Sequence, residues 1–208
     1  MRRRLETSAA IIAGIAIVAA GGCSAGQDEQ SVASSNTGEA TTTSASSISE
    51  FALPEREGAR RETTRDVPHI QLDALPVAAV DAELRRRAFL LPGVEDLPSD
   101  RSLPGARGLA LPDDLELARP DVISGSREFA HIHPDGSLHV WLPADRALEV
   151  DRTKWGELHP WVGRDGFWEG VVMVYTPETL DELDVTIRLV VDAYNFVTGA
   201  SLEPSDIP

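Results

Sequence analysis

The sequence predicts an α+β domain, and three observations carry that prediction. A hairpin signature surrounds Pro134-Asp135-Gly136, a β-rich run "GVVMVYTP" is bounded by Gly170 and Pro177, and an apolar stripe at three-and-four spacing runs from Leu180 to Val197. A few antiparallel strands closed by a long one-sided helix form the simplest layered solution for such a chain. The expected architecture is a small β-sheet that includes a histidine-bearing hairpin, packed by the long C-terminal helix and by an N-terminal one.

The first residues stand apart from that domain. "MRRRLETSAAIIAGIAIVAAGGC" has a basic start, an apolar run from Ala9 to Ala20 and small residues leading to Cys23, the composition of an export signal. Twelve apolar residues reach about 18 Å as a helix, short of the roughly 30 Å hydrocarbon core, so the run is not expected to span a membrane permanently. Ala20-Gly21-Gly22 before the chain's single cysteine resembles a bacterial lipobox. Residues 1–22 are therefore expected to be a signal peptide and Cys23 a lipidated residue, anchoring the exported protein to the outer face of a bacterial cell membrane. A single cysteine also excludes an internal disulfide.

From residue 24 the chain turns to Ser, Thr, Gly and Ala, which cannot bury enough surface to offset the entropy of ordering. Residues 23–66 are expected to form a disordered tether that ends in the charged "EREGARRETTRD", and residues 67–208 the folded domain. A formal net charge of −15 argues against nucleic acid as a partner, because phosphate binding requires a basic face.

Within the domain, Pro76 at a first-turn position with Val77, Val80, Leu84 and Phe89 behind it predicts a helix from Pro76 to Leu90. The Pro-, Gly- and Asp-rich stretch that follows predicts a long irregular connection with at most one short strand, near Gly108–Leu111. In "REFAHIHPDGSLHVWLP", Pro134 and Gly136 suit a three-residue hairpin loop, which opposes His131 to His139, His133 to Ser137 and Phe129 to Trp141. The same register gathers Ala130, Ile132, Leu138, Val140 and Leu142 on the other face, which belongs on the core. "GVVMVYTP" reads as a buried strand. Thr176 as cap and Pro177 as the first position open the last helix, which stops at Gly199.

The histidines are the chemical signal. His131, His133 and His139 share one hairpin face with imidazoles about 5–7 Å apart, near enough to converge on one ion or one small ligand. "KWGELHP" adds Glu157 and His159 between Trp155 and Trp161. Either group suits a general base, and the aromatics suit a small-molecule pocket. The candidate catalytic residues are His131, His133, His139, Glu157 and His159, and the candidate substrate-binding residues are Phe129, Trp141, Trp155 and Tyr175. A solvated sheet face carrying histidines as tolerated strand residues is the other reading of the same pattern, and an H-x-H pair alone does not identify a metal. The residues name no cofactor and leave the oligomeric state open.

"EFAHIHPDGSLH", then "WGELHP", then "VVMVYTP" before a long amphipathic helix resembles the luciferase domain of bioluminescent fungi and its uncharacterised bacterial relatives, over about Pro76–Gly199. Glu128, His131, His133, His139, Trp155, Glu157, His159, Pro160 and Tyr175 match the motif. The chain departs from it at Glu178, where relatives carry arginine after Tyr-x-Pro. The resemblance implies a compact α+β domain, and an enzyme whose fungal members add oxygen to a hydroxylated pyrone without a recognised cofactor. A membrane-tethered small-molecule enzyme of oxygenase-like or acid–base chemistry is thus expected. The alternative is a non-catalytic lipoprotein that binds a small ligand, a metal or an envelope protein.

Overall fold

The computed structural model describes residues 51–73, 76–123 and 125–207. The expected signal peptide, Cys23 and the Ser/Thr-rich part of the tether lie outside the described residues. Among the described residues, no helix is long and apolar enough to cross a membrane.

Helix α1 (Ala78–Ala88) is followed by β1 (Glu95–Pro98), β2 (Arg107–Ala110), β3 (Glu128–Ile132), β4 (Leu138–Trp141), α2 (Ala144–Arg152), β5 (Gly156–Leu158), β6 (Val171–Val174) and α3 (Leu180–Thr198). The six strands form one antiparallel sheet in the order β1-β2-β3-β4-β6-β5. Helix α3 lies on β3 and β4 with α1 beside it, while α2 packs on β5 and β6. The domain is α+β, with a long C-terminal helix and histidine-bearing strands, as the sequence predicts.

The hairpin register explains the layering. His131 pairs with His139, and Ala130, Ile132, Leu138, Val140 and Leu142 are completely buried beneath α3. Leu183, Ile187, Val190, Val191 and Val197 meet them, each burial worth about 1.5–3 kcal/mol. Two details of α3 differ from expectation. Thr179, not Thr176, caps the helix by accepting from the Glu182 N–H, and Thr176 instead donates to the Asp135 carbonyl. Leu180, at the first helical position, is 60 % exposed and lies outside the stripe.

Strands β1 and β5 and helix α2 are additions to the predicted elements. The short helix is hard to read because one of its inward positions is a charge. Arg146 is 4 % exposed and its Nε donates to Asp192 of α3 at 2.9 Å. Only Ala147 and Val150 remain as buried apolar positions in that helix.

Residues 51–66, expected to end the tether, are packed on the domain. Leu53 is buried, the Trp155 Nε1–H donates to the Pro54 carbonyl at 2.7 Å, and Thr63 bridges to Gln71. The arginines that looked like solvated linker find carboxylates, Arg56 with Glu182, Arg60 with Asp151 and Arg61 with Glu178. Paired charge thus does what the composition of the segment alone does not suggest, and the ordered unit begins upstream of Val67.

Candidate functional site

The turn at Pro134-Asp135-Gly136 is closed by His133 N–H donating to the Ser137 carbonyl at 2.8 Å and by Gly136 at φ 83°, a left-handed conformation that glycine adopts freely. It holds His131, His133 and His139 on the sheet face turned away from α3. That face is covered: the three residues are 2 %, 1 % and 5 % exposed. The solvated-face reading therefore fails. Residues 67–69, 101–103 and 159–167 roof a cavity of about 460 Å³.

All five histidines of the chain line it. Trp141, Trp161 and Phe167 supply aromatic walls, and Arg101 stands over the Trp141 ring at 5.6 Å. Of the residues expected from sequence, His131, His133, His139, His159 and Trp141 meet here. Phe129, Trp155 and Tyr175 do not line this cavity, and Glu157 faces a neighbouring polar groove instead.

Phe129 is displaced by a β-bulge. The β2–β3 register runs Leu109↔Ala130 and then Ala110↔Glu128, so Phe129 has no partner and its ring meets Tyr194 of α3 edge-on at 5.8 Å. Glu128 takes the place on the histidine face. Its carboxylate accepts from Ser99 Oγ at 2.8 Å, from the Asp100 N–H at 3.3 Å and from His131 Nδ1 at 2.7 Å. The carboxylate lies against Gly108, where a Cβ would stand 2.3 Å from Oε2. Trp155 belongs to the core beneath Pro54, with Arg56 over its ring. Tyr175 directs its hydroxyl to Glu157 Oε2 at 3.4 Å, and burial followed by that carboxylate pushes the phenol up to about 12. Glu178 pairs with Arg61 and does not line the cavity.

His69 is the site residue that the sequence reading missed. It arrives from the segment before α1, where Thr63↔Gln71 bridging fixes the backbone. Its Nδ1 lies 3.0 Å from His139 Nε2 and its Nε2 lies 2.7 Å from Glu157 Oε1. The only signal in the sequence was an isolated histidine after Val67-Pro68. His139 Nδ1 is 2.9 Å from His131 Nε2. A continuous line of contacts therefore runs from Glu157 through His69, His139 and His131 to Glu128. Burial works to raise the Glu157 carboxyl, but hydrogen bonds from His69 and Thr63 bring it below its ordinary value.

Two tautomers follow from the hydrogen bonds. Ser137 Oγ donates to Asp135 Oδ1 at 2.7 Å, so towards His133 Nδ1, at 2.9 Å, it accepts. His133 therefore carries its proton on Nδ1, and its buried Nε2, which has no hydrogen-bond partner in the protein, presents a lone pair. His159 is the converse. Its Nδ1 accepts the Trp161 N–H at 3.1 Å, so the neutral ring holds its proton on Nε2. Burial and then neighbouring imidazoles push His133 down to about 3 and His159 down to about 4, so both rings are neutral near pH 7. Among the described residues, two groups have ligand nitrogens within 4.8 Å of one another: His69, His139 and His159, and His131, His133 and His139.

Residues 126–193 match the family model described as Luciferase domain, a segment from the start of β3 to well within α3 that holds four of the five cavity histidines. Searches of curated proteins and of solved structures returned no match. With its histidine hairpin, its "WGELHP" strand and most of its closing helix inside the matched segment, the chain carries a luciferase-like domain.

Proposed function

We propose that this domain is a small-molecule enzyme of oxygenase-like or acid–base chemistry, held at the outer face of a bacterial membrane by lipid on Cys23. The observation that carries the reading is the opposed hydrogen-bonding of two buried rings in one aromatic-walled cavity. His133 Nε2 offers a lone pair and His159 Nε2 offers a proton, and both rings pack edge-on against His139 at 4.8 and 4.9 Å. A flat substrate held among Trp141, Trp161 and Phe167 would place an electron-rich oxygen on the His159 N–H. A neutral imidazole donor stabilises negative charge that develops on such an oxygen without bringing a full charge of its own. The lone-pair end takes an ionising substrate group when no cation occupies it. A mainly apolar surround strengthens both interactions.

The test is a fluorescence titration of the full chain with hydroxylated aromatic and heteroaromatic compounds, read through Trp141 and Trp161 quenching. At least one compound should saturate, and His159→Gln and Trp161→Ala should weaken it while stability stays within about 1 kcal/mol. No saturable compound, or one whose affinity both substitutions leave unchanged, removes the reading. The anchoring is checked separately by the mass of the mature N-terminal peptide and by detergent-phase partition. Cys23→Ser should abolish acylation and release the protein to the aqueous phase.

A further inference from the structure

We infer that His131, His133 and His139 form a three-imidazole site for a first-row divalent cation, bound through His131 Nε2, His133 Nε2 and His139 Nδ1 and open to the cavity. The cluster holds more ring lone pairs than protons to meet them. The site stands on the hydrogen bonding of the cluster and does not depend on turnover.

Four close contacts join Glu157, His69, His139, His131 and Glu128, at 2.7, 3.0, 2.9 and 2.7 Å. Each needs one proton between its two atoms. Three imidazoles counted with one proton each supply three, and two ionised carboxylates supply none. Assigning them from the ends inward, His69 donates to Glu157 and His131 donates to Glu128. His139 then has one proton for two contacts; placed on Nε2 it serves His69 Nδ1 and leaves Nδ1 facing His131 Nε2 lone pair to lone pair at 2.9 Å, the arrangement that sets two lone pairs beside the unpartnered His133 Nε2. A fourth proton would close that gap, but it would leave His133 Nε2 as it stands, buried and unpartnered. A cation at the convergence of the three nitrogens satisfies all three lone pairs at once.

The surroundings of each ring agree. A ligating histidine ordinarily donates its far N–H to a carboxylate or carbonyl, which fixes the tautomer and raises the basicity of the ligand. Here His131 donates to Glu128, His133 donates through Ser137 to Asp135, and His139 donates through His69 to Glu157. Three acidic residues thus stand behind three ligands. The other convergent group, His69, His139 and His159, does not work this way. His159 turns an N–H, not a lone pair, toward the cavity because its Nδ1 accepts from Trp161. Two nitrogens 2.9 Å apart subtend about 90° at an ion bound at about 2.1 Å, and opening to about 3.4 Å gives a tetrahedral set. Imidazole-only donors favour zinc, copper or iron over magnesium or calcium. His159 is then placed as a hydrogen-bond donor beside whatever oxygen the ion holds.

The experiment is metal analysis of the full chain purified without chelator, followed by stripping and titration of the stripped protein with Zn²⁺ and with Co²⁺, whose visible bands report nitrogen ligation. One ion per chain should be recovered or taken up. His133→Ala should abolish uptake, Ser137→Ala should weaken it on the order of 10–100-fold, and His159→Gln should retain it. Absence of metal on isolation together with no uptake by the folded stripped protein overturns the site. Retention in His133→Ala with loss in His159→Gln overturns it in favour of the other group. If His133→Ala does not fold, the folded wild type and Ser137→Ala still decide. The small-molecule titration above is read by tryptophan quenching, so its failure and the failure of metal uptake are separate results.

Discussion

Gly108→Ala tests whether the bulge at Phe129 organises the site. The added Cβ would stand 2.3 Å from Glu128 Oε2 and 3.0 Å from its Cδ, well inside contact distance. Gly108 is not in the left-handed region, so the backbone tolerates alanine and the whole effect falls on the carboxylate. That group is 3 % exposed and holds Ser99, Asp100 and His131. Moving it strains the packing and strips His131 Nδ1 of its acceptor, a combined cost of about 1–3 kcal/mol. Metal affinity should fall on the order of 10–100-fold, as expected when the partner of a ligand is lost. The assay is a double-mutant cycle by urea unfolding with Glu128→Ala. In that background the obstructing atoms are gone, and Gly108→Ala should cost no more than about 0.5 kcal/mol, so the coupling equals nearly the entire single-mutant effect. An equal penalty in both backgrounds would refute the role given to Glu128.

Other expectations follow from separate parts of the molecule. Asp192→Ala removes one of the two carboxylates on the buried Arg146 guanidinium, leaving Glu149, and should destabilise the fold by about 1–3 kcal/mol in chemical denaturation. A chain that starts at Val67 loses Leu53 and the Arg56–Glu182 pair, and should unfold at least about 2 kcal/mol more easily than one that starts at Phe51. Tyr175 is raised in the fold, so its contribution is complete below the ordinary phenol value near pH 10 and is lost as pH rises toward about 12. Across that window the wild type should lose up to about 1.4 kcal/mol per pH unit more than Tyr175→Phe.

The hairpin was legible because its register is set locally. A three-residue loop ending in Gly136 permits one pairing, and the alternation of Ala130, Ile132, Leu138 and Val140 agrees with it. The fate of Phe129 was not legible, since the bulge depends on β2, some twenty residues earlier in the chain, and on the absence of a side chain at Gly108. His69 and the strap that carries it were hidden for a different reason. Their contacts are ion pairs and hydrogen bonds to residues about 90 to 125 positions away, such as Glu157 and Glu182, and a composition-based reading of "EREGARRETTRD" sees only solvated charge. Helix α2 combined both problems, with an inward arginine whose partner lies on α3. Trp155 illustrates the ambiguity of aromatics, since a ring that suits a pocket wall equally suits the core, and its N–H found the Pro54 carbonyl.

The assignment of lone pairs and protons to the five rings underlies both the cavity chemistry and the cation site. Long-range proton–nitrogen correlation of the imidazoles in stripped, isotope-labelled protein near pH 7 reads it directly. His133 should appear protonated at Nδ1 and His159 at Nε2, each as a single neutral tautomer. A proton on His133 Nε2, or on His159 Nδ1, would contradict the account.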